Sequence, residues 1–262
     1  MATQTSTRLP IHPPLALFLI YPAILLIGSI FSVISPTAHP WNGATTAEDQ
    51  SLPPPNYFAR KHNLFNQYFV KIGWAWTTLA FLLILVTQPA FVMTKKVSSS
   101  SSVSDGAAQQ RVIRRLGQAI LRYILATLAW YLTTSWFFGP SVIDRGFTLT
   151  GGKCDGGEGP LDGDLPFSAT TCKSAGGTWK GGHDISGHVF MLVIATVFLS
   201  CEILGVSGTK DKVHEGGVER EGGQEENKLS VWSARFVWGV IGLSLWMLLM
   251  TSIFFHTFME KV

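Results

Sequence analysis

Charge is what this sequence has least of. Asp, Glu, Lys and Arg make up 14% of its 262 residues, against about 25% in an ordinary soluble domain. A water-soluble protein of this size could not cover its surface with so few charges. Cysteine is scarce as well: there are three, too few for a disulfide scaffold, and no Cys-x-x-Cys occurs. The net charge of +3 is small and scattered along the chain, which excludes a nucleic-acid-binding surface. Aromatic residues, by contrast, are plentiful, with 9 Trp and 17 Phe, and that excludes a disordered chain. Hydrophobic residues reach 47% and the mean hydropathy is +0.27. The composition is that of a membrane protein.

Long uncharged runs set the architecture, since about 20 apolar residues in a helix cross a bilayer core. The runs predict an all-α, polytopic membrane helix bundle with five spans, at about 15–35, 72–94, 119–140, 186–206 and 233–255, in a single integral membrane domain over 1–262. The first run is too long for the apolar part of a signal peptide and has no clean small-x-small cleavage site after it, so it reads as an uncleaved helix, kinked at Pro22. Orientation follows from Lys and Arg in the loops. Loop 95–118 carries five of the six basic residues from Lys95 to Arg122, against the single acid Asp105, and should be cytosolic. Loop 141–185 is more acidic than basic and should be lumenal. Loop 207–232 is cytosolic by parity, as is the N-terminus. Ser98–Ser102, Gly151–Gly163 and Gly216–Gly223 read as unstructured, and no internal repeat is evident. Cys154 and Cys172 share the loop on the oxidising side, where they either form a bridge or remain two thiols. Cys201, within a span, reads as packing.

Two histidines fall on one predicted membrane face. Gly182-His183-Asp184-Ile185-Ser186-Gly187-His188 opens the fourth span, and Phe255-His256 closes the fifth. Ionisable residues at such depths are functional candidates. Asp184 or Ser186 can cap the fourth helix. Gly187 lets an anion approach the backbone, and the first-turn amides and the helix dipole favour a phosphate there. Asp184, four residues before His188, can fix its tautomer. Phosphoryl transfer through histidine needs one neutral imidazole to attack phosphorus and a protonated one to serve the leaving oxygen. Two such rings should stand about 4 to 7 Å apart, with room for one phosphate. No metal or other cofactor is required if cations stabilise the equatorial oxygens. Lys71 is the best placed, with Arg60 and Lys61 behind it. The plainer readings are a snorkelling anchor for either His and a helix stop for Lys71. Glu202, about 21 Å below His188 and so near the cytosolic interface, reads as an anchored or paired carboxylate rather than a catalyst.

Cys172, Gly176-Gly177-x-Trp179 and Asp184-Ile185-Ser186-Gly187-His188-x-Phe190 together resemble the signature of the fat storage-inducing transmembrane (FIT) family, the acyl-coenzyme A diphosphatases. Asn63-x-x-Asn66-x-Tyr68-Phe69-Val70-Lys71-x-x-Trp74-x-Trp76-Thr77 and Phe255-His256 agree with it, in order, from about residue 55 onward. The resemblance implies an endoplasmic-reticulum membrane protein that supports lipid droplet formation and ER lipid homeostasis. It further implies cleavage of the diphosphate of fatty acyl-CoA, giving acyl 4′-phosphopantetheine and adenosine 3′,5′-bisphosphate on the lumenal side. His188 matches the leaving-group-acid position and His256 the nucleophile, with Lys71, Ser186, Gly187, Asp184 and Asn63 as substrate-binding residues. The family is similar to lipid phosphate phosphatases, which carry an Arg six residues before the second His and an Asp four after it. Here those positions hold Met250 and Glu260, which shifts weight to Lys71. The family is expected to have a sixth span after the second His, and the sequence carries six residues beyond His256. The partners expected are fatty acyl-CoA or a related phosphorylated lipid, the bilayer, and a neutral lipid. The rival reading is a non-catalytic protein that binds and partitions neutral lipid. A transporter ranks last, because no span has a polar row or a broken-helix signature.

Overall fold

The computed structural model describes residues 15–35, 56–60, 62–92, 102–135, 140–155, 168–181, 186–214 and 224–254. Helix α1 (Leu15–Ile34) is followed by a 3-10 turn (Tyr57–Ala59), a π-helical turn (Asn66–Val70), α2 (Gly73–Thr87) and α3 (Ser102–Thr134). Then come α4 (Val142–Leu149), strand β1 (Lys153–Asp155), α5 (Ala169–Ser174), strand β2 (Thr178–Lys180), α6 (Gly187–His214) and α7 (Gln224–Phe254). Among the described residues, Leu17–Ile34, Gly187–Val206 and Lys228–Phe254 are long and apolar enough to cross a membrane. Gly73–Thr87 is apolar but shorter. The protein is an all-α membrane helix bundle.

Helices α6 and α7 pack on each other at the centre. Helix α2 lies against both, α3 against α6, and α1 against α7. The core joins Val70, Phe81, Ile84, Leu192, Leu199, Val237 and Leu248. Between α2, α3 and α6 the filling is aromatic: Trp74 stacks on Trp130 at 4.9 Å, Phe81 on Tyr123 at 5.0 Å, and Phe198 closes on Phe81 at 5.1 Å. Helix α1 stays peripheral, with Phe18, Leu26, Ile30 and Phe31 exposed toward the lipid side. It meets α7 through small residues. A Cβ on Gly28 would stand 1.7 Å from the Ser252 hydroxyl, and Ser32, four residues on, lies on the same face of α1 and is also buried. That is the small-xxx-small contact by which helices approach closely in lipid.

Helix ends differ from the expected spans for local reasons. Helix α2 stops at Thr87 instead of running on toward 94. Pro89 forces Gln88 into an extended conformation (φ −85°, ψ 129°). Helix α3 begins at Ser102, so most of the expected loop 95–118 is helix. Ala107 to Leu116 contains no proline and is rich in helix formers, which lets the helix extend out of its span. The serine run before Ser102 and the glycine-rich 216–223 lie outside the described residues.

The stretch from Gly151, expected to be unstructured, is ordered to Asp155; 156–167 lie outside the described residues. It belongs to a stapled module between α3 and α6. Ser141 caps α4 by accepting the Asp144 N–H, and Ser168 caps α5 by accepting that of Thr171. Both helices end in the same glycine-pair motif. Gly151 (φ +95°) and Gly176 (φ +74°) adopt left-handed backbone. Gly152 N–H then reaches back to the Phe147 carbonyl (2.9 Å) and Gly177 N–H to that of Cys172 (2.9 Å). Each pair leads straight into a strand, and β1 and β2 pair antiparallel, with Cys154 opposite Trp179. Asp144 Oδ1 accepts the Ala169 N–H (3.3 Å), tying α4 to α5. Cys154 and Cys172 are disulfide-bonded, with Cα atoms 5.8 Å apart. The helix–glycine pair–strand unit thus occurs twice, although the two segments share little sequence.

Two predictions follow from these contacts. Glu202 is buried and accepts from Nε and Nη2 of Arg122, which is part-exposed. Arg122→Leu should therefore lower stability by about 3 kcal/mol, because it strands a carboxylate, while Arg122→Leu/Glu202→Leu should recover most of that. Thermal unfolding in detergent measures both, and equal losses in the two variants would show that the pair carries no coupling. A Cβ at Gly177 would lie 2.6 Å from Cys154 Sγ and 3.0 Å from Cys172 Sγ. Gly177→Ala should therefore raise maleimide labelling of both cysteines. Loss of a bridge closing a loop of this size is expected to cost about 3 kcal/mol.

Candidate active site

The serine before α6 is its cap. Ser186 Oγ accepts the Val189 N–H (3.4 Å), and its carbonyl takes the first intrahelical bond from Phe190 (3.1 Å). Gly187 and His188 thereby occupy the first turn, with His188 exposed. Gly187 is fixed from two sides. A Cβ there would be 3.4 Å from Thr134 Cγ2 at the end of α3 and 3.5 Å from Ile143 Cδ1 on α4. The disulfide-stapled module therefore abuts the turn that carries His188, and β2 ends six residues before it.

Lys71 follows the π-helical turn, its N–H bonded to the Asn66 carbonyl (3.0 Å), and its side chain is exposed. Single π-turns often mark functional positions. Two residues later, a Cβ on Gly73 would meet Met191 Cε at 2.5 Å. Met191 lies one turn below His188, so Lys71 and His188 rise from neighbouring helices at the same end of the bundle. Asn63 is buried. Its Oδ1 accepts the Asn66 N–H (2.6 Å) and its Nδ2 donates to the carbonyls of Arg60 (2.9 Å) and Phe58 (3.3 Å). The amide ties this loop together; the structure does not offer it at the surface.

The last turn of α7 reaches the same end. Met250, Ile253 and Phe254 bury themselves against Ala59 and Phe58, in the loop that Asn63 holds. Met250 is packing, which is why an Arg at that position finds no counterpart here. His256 and Asp184 lie outside the described residues, as does the separation of the two imidazoles. Within the described chain, α7 runs to two residues before His256, at the end of the bundle that also carries Lys71, Ser186, Gly187 and His188. Among the described residues, no group of three or more His, Cys, Asp or Glu could hold a metal ion. Of the two readings of Glu202, anchored or paired, the structure shows the paired one, with Arg122 as partner.

Some of the surroundings were missed in the sequence. Thr134 and Ile143 pack on Gly187, but nothing in their local pattern signals it. Trp74 lies three residues past Lys71, and its indole N–H is buried with no hydrogen-bond partner. The glycine pairs 151–152 and 176–177 had a readable signal, a capping serine followed by a short helix and two glycines.

A family model described as fat storage-inducing transmembrane protein matches residues 54–262. The chain is 33% identical over 245 residues to acyl-coenzyme A diphosphatase fit1 of Schizosaccharomyces pombe, covering 94% of this chain and 77% of that one. It is 28% identical over 254 residues to acyl-coenzyme A diphosphatase FITM2 of Mus musculus, covering 96% and 76%. To the Drosophila melanogaster protein of the same name it is 35% identical over 146 residues, which is 56% of this chain and 27% of that relative. No solved structure matches. With the match running from the loop of Asn63 and Lys71 through the end of α7, the chain belongs to the fat storage-inducing transmembrane protein family.

Proposed function

We propose that the protein is a fatty acyl-CoA diphosphatase of the endoplasmic-reticulum membrane. It hydrolyses the phosphoanhydride to acyl 4′-phosphopantetheine and adenosine 3′,5′-bisphosphate and so supports lipid droplet formation and phospholipid supply. The observation that carries this reading is the convergence of the Ser186-capped, glycine-opened first turn of α6, which holds His188, with exposed Lys71 and the end of α7 leading to His256. The names of the relatives point to the same substrate.

His256, neutral, attacks one phosphorus of the diphosphate, and the P–O bond to the bridging oxygen breaks. His188, protonated, gives its proton to the leaving phosphate oxygen. Water then attacks the phosphohistidine, His188 takes up a proton from that water, and the starting state returns. Gly187, Ser186 and the α6 amides hold the phosphate oxygens with Lys71. Asp184 orients the His188 ring, and Asn63 holds the loop that presents Lys71. The acyl chain stays in the bilayer, in contact with the exposed apolar helix faces, where a neutral lipid can also lie.

In this reading one integral membrane domain of five spans keeps its N-terminus and the loops 95–118 and 207–232 in the cytosol, with loop 141–185 and the site in the lumen. The Cys154–Cys172 disulfide, on the His188 side, supports that orientation, because disulfides persist in oxidising compartments. Purified protein given acyl-CoA should release both products. His188→Ala and His256→Ala should each lower the rate by about 100-fold or more, with labelled phosphate trapped only while His256 is present. Equal hydrolysis in all three proteins would sink the catalytic reading and leave a lipid-partitioning role. Reporters fused at Ser100 and Gly157 should fall on opposite sides of the membrane.

A further inference from the structure

The end of the bundle opposite His188 carries a second feature that the reaction does not use. Helix α3 is continuous from Ser102 to Thr134. Thr134 touches the Gly187 position, so α3 and α6 share one membrane boundary. With α3 taken as a span, as in the topology proposed above, and measured from that boundary at 1.5 Å per residue, Arg122 lies about 18 Å into the bilayer and Glu202 about 22 Å. That is inside the hydrocarbon, where a guanidinium needs a partner, and Arg122 has one. Arg115, Arg114 and Arg111 lie about 28, 30 and 34 Å from the same boundary. A hydrocarbon core is about 30 Å thick. These three arginines therefore reach the far headgroup layer, and all three are exposed.

Their angular placement agrees. At 100° per residue, Arg111, Arg114, Arg115 and Arg122 fall within a sector of about 100° on α3. Ile113 and Ile120, both exposed, lie across the helix from it. The arginine side chains thus gather on one side of α3 at headgroup depth, where lipid phosphates lie. Setting the orientation of insertion needs only a count of basic residues in the loop. It does not need them on a rigid helix at phosphate depth.

We infer that Arg111, Arg114 and Arg115 form a binding site for anionic phospholipid headgroups in the leaflet opposite the His188 site. The guanidiniums donate to phosphate and carboxylate oxygens, and the negative surface of that leaflet holds α3 at its depth.

The test uses the full chain in mild detergent, offered phosphatidylserine and phosphatidylcholine with the same acyl chains in equal amounts, with bound lipids counted by native mass spectrometry. The wild type should enrich phosphatidylserine about tenfold or more, and raising salt from about 0.1 to 0.5 M should erode that preference. Arg111→Gln/Arg114→Gln/Arg115→Gln should abolish it. The corresponding triple Lys variant should keep it, which separates loss of charge from loss of fold. Lys173→Gln, in the module at the other end, should leave it unchanged. A wild type without preference, a Gln triple that still enriches the anionic lipid, or an equal loss in Lys173→Gln would overturn the site. The readout is lipid binding alone and stands independently of the hydrolase reading.

Discussion

Hydrocarbon offers no water, so each polar group carried into it must be satisfied inside the protein. Most cross-helix polar contacts in this bundle answer that constraint. Tyr21 and Thr196 share a 2.8 Å hydrogen bond between α1 and α6, and Thr78 and Tyr123 one of 2.8 Å between α2 and α3. Where α2 ends, Gln88 is buried and donates to the Ser230 carbonyl (3.0 Å) and the Ser233 hydroxyl (3.1 Å), while Ser230 Oγ donates back (3.0 Å). Arg122 and Glu202 are the costly version of the same device. Their pairing allows α3 and α6 to pack with a charge on each.

At the other end the constraint is to begin a helix well. The first turn of α6 must leave lipid with its amides oriented, and three separate pieces meet there. Ser186 caps it, Thr134 and Ile143 flank Gly187, and the disulfide-stapled module supplies Ile143. Helix α4 is itself locked by its serine cap, its glycine pair, and the Asp144 bond to α5. Such order suits the phosphate site proposed there, because donors that must reorganise around developing charge stabilise it less. The module thus braces the first turn of α6 through Ile143.

Run length against bilayer thickness made the three membrane-length helices legible, Leu17–Ile34, Gly187–Val206 and Lys228–Phe254, since it depends only on local composition. It was less able to place helix ends. Pro89 stops α2 early, and α3 carries its helix into a polar segment because the residues there favour helix whether or not lipid surrounds them. The Ser186 cap and the pairing of Glu202 were readable from the position of each residue in its run. Asn63 was not: its motif suggested a ligand, but only the fold shows its amide committed to the carbonyls of Phe58 and Arg60. The Cys154–Cys172 alternatives stayed open until Gly176 and Gly177 turned α5 back on β1.

By itself the sequence determined that this chain lives in a membrane, that it does so as helices, and which family motifs it carries. Each of these is set by residues within about 20 positions of one another. Tertiary structure decided which motifs share a face. Gly73 meets Met191, Gly28 meets Ser252, and Phe58 meets Trp246, across separations of more than 100 residues. Such contacts arise from shape and small-residue fit between helices, and a linear pattern does not encode which partner a gap will accept.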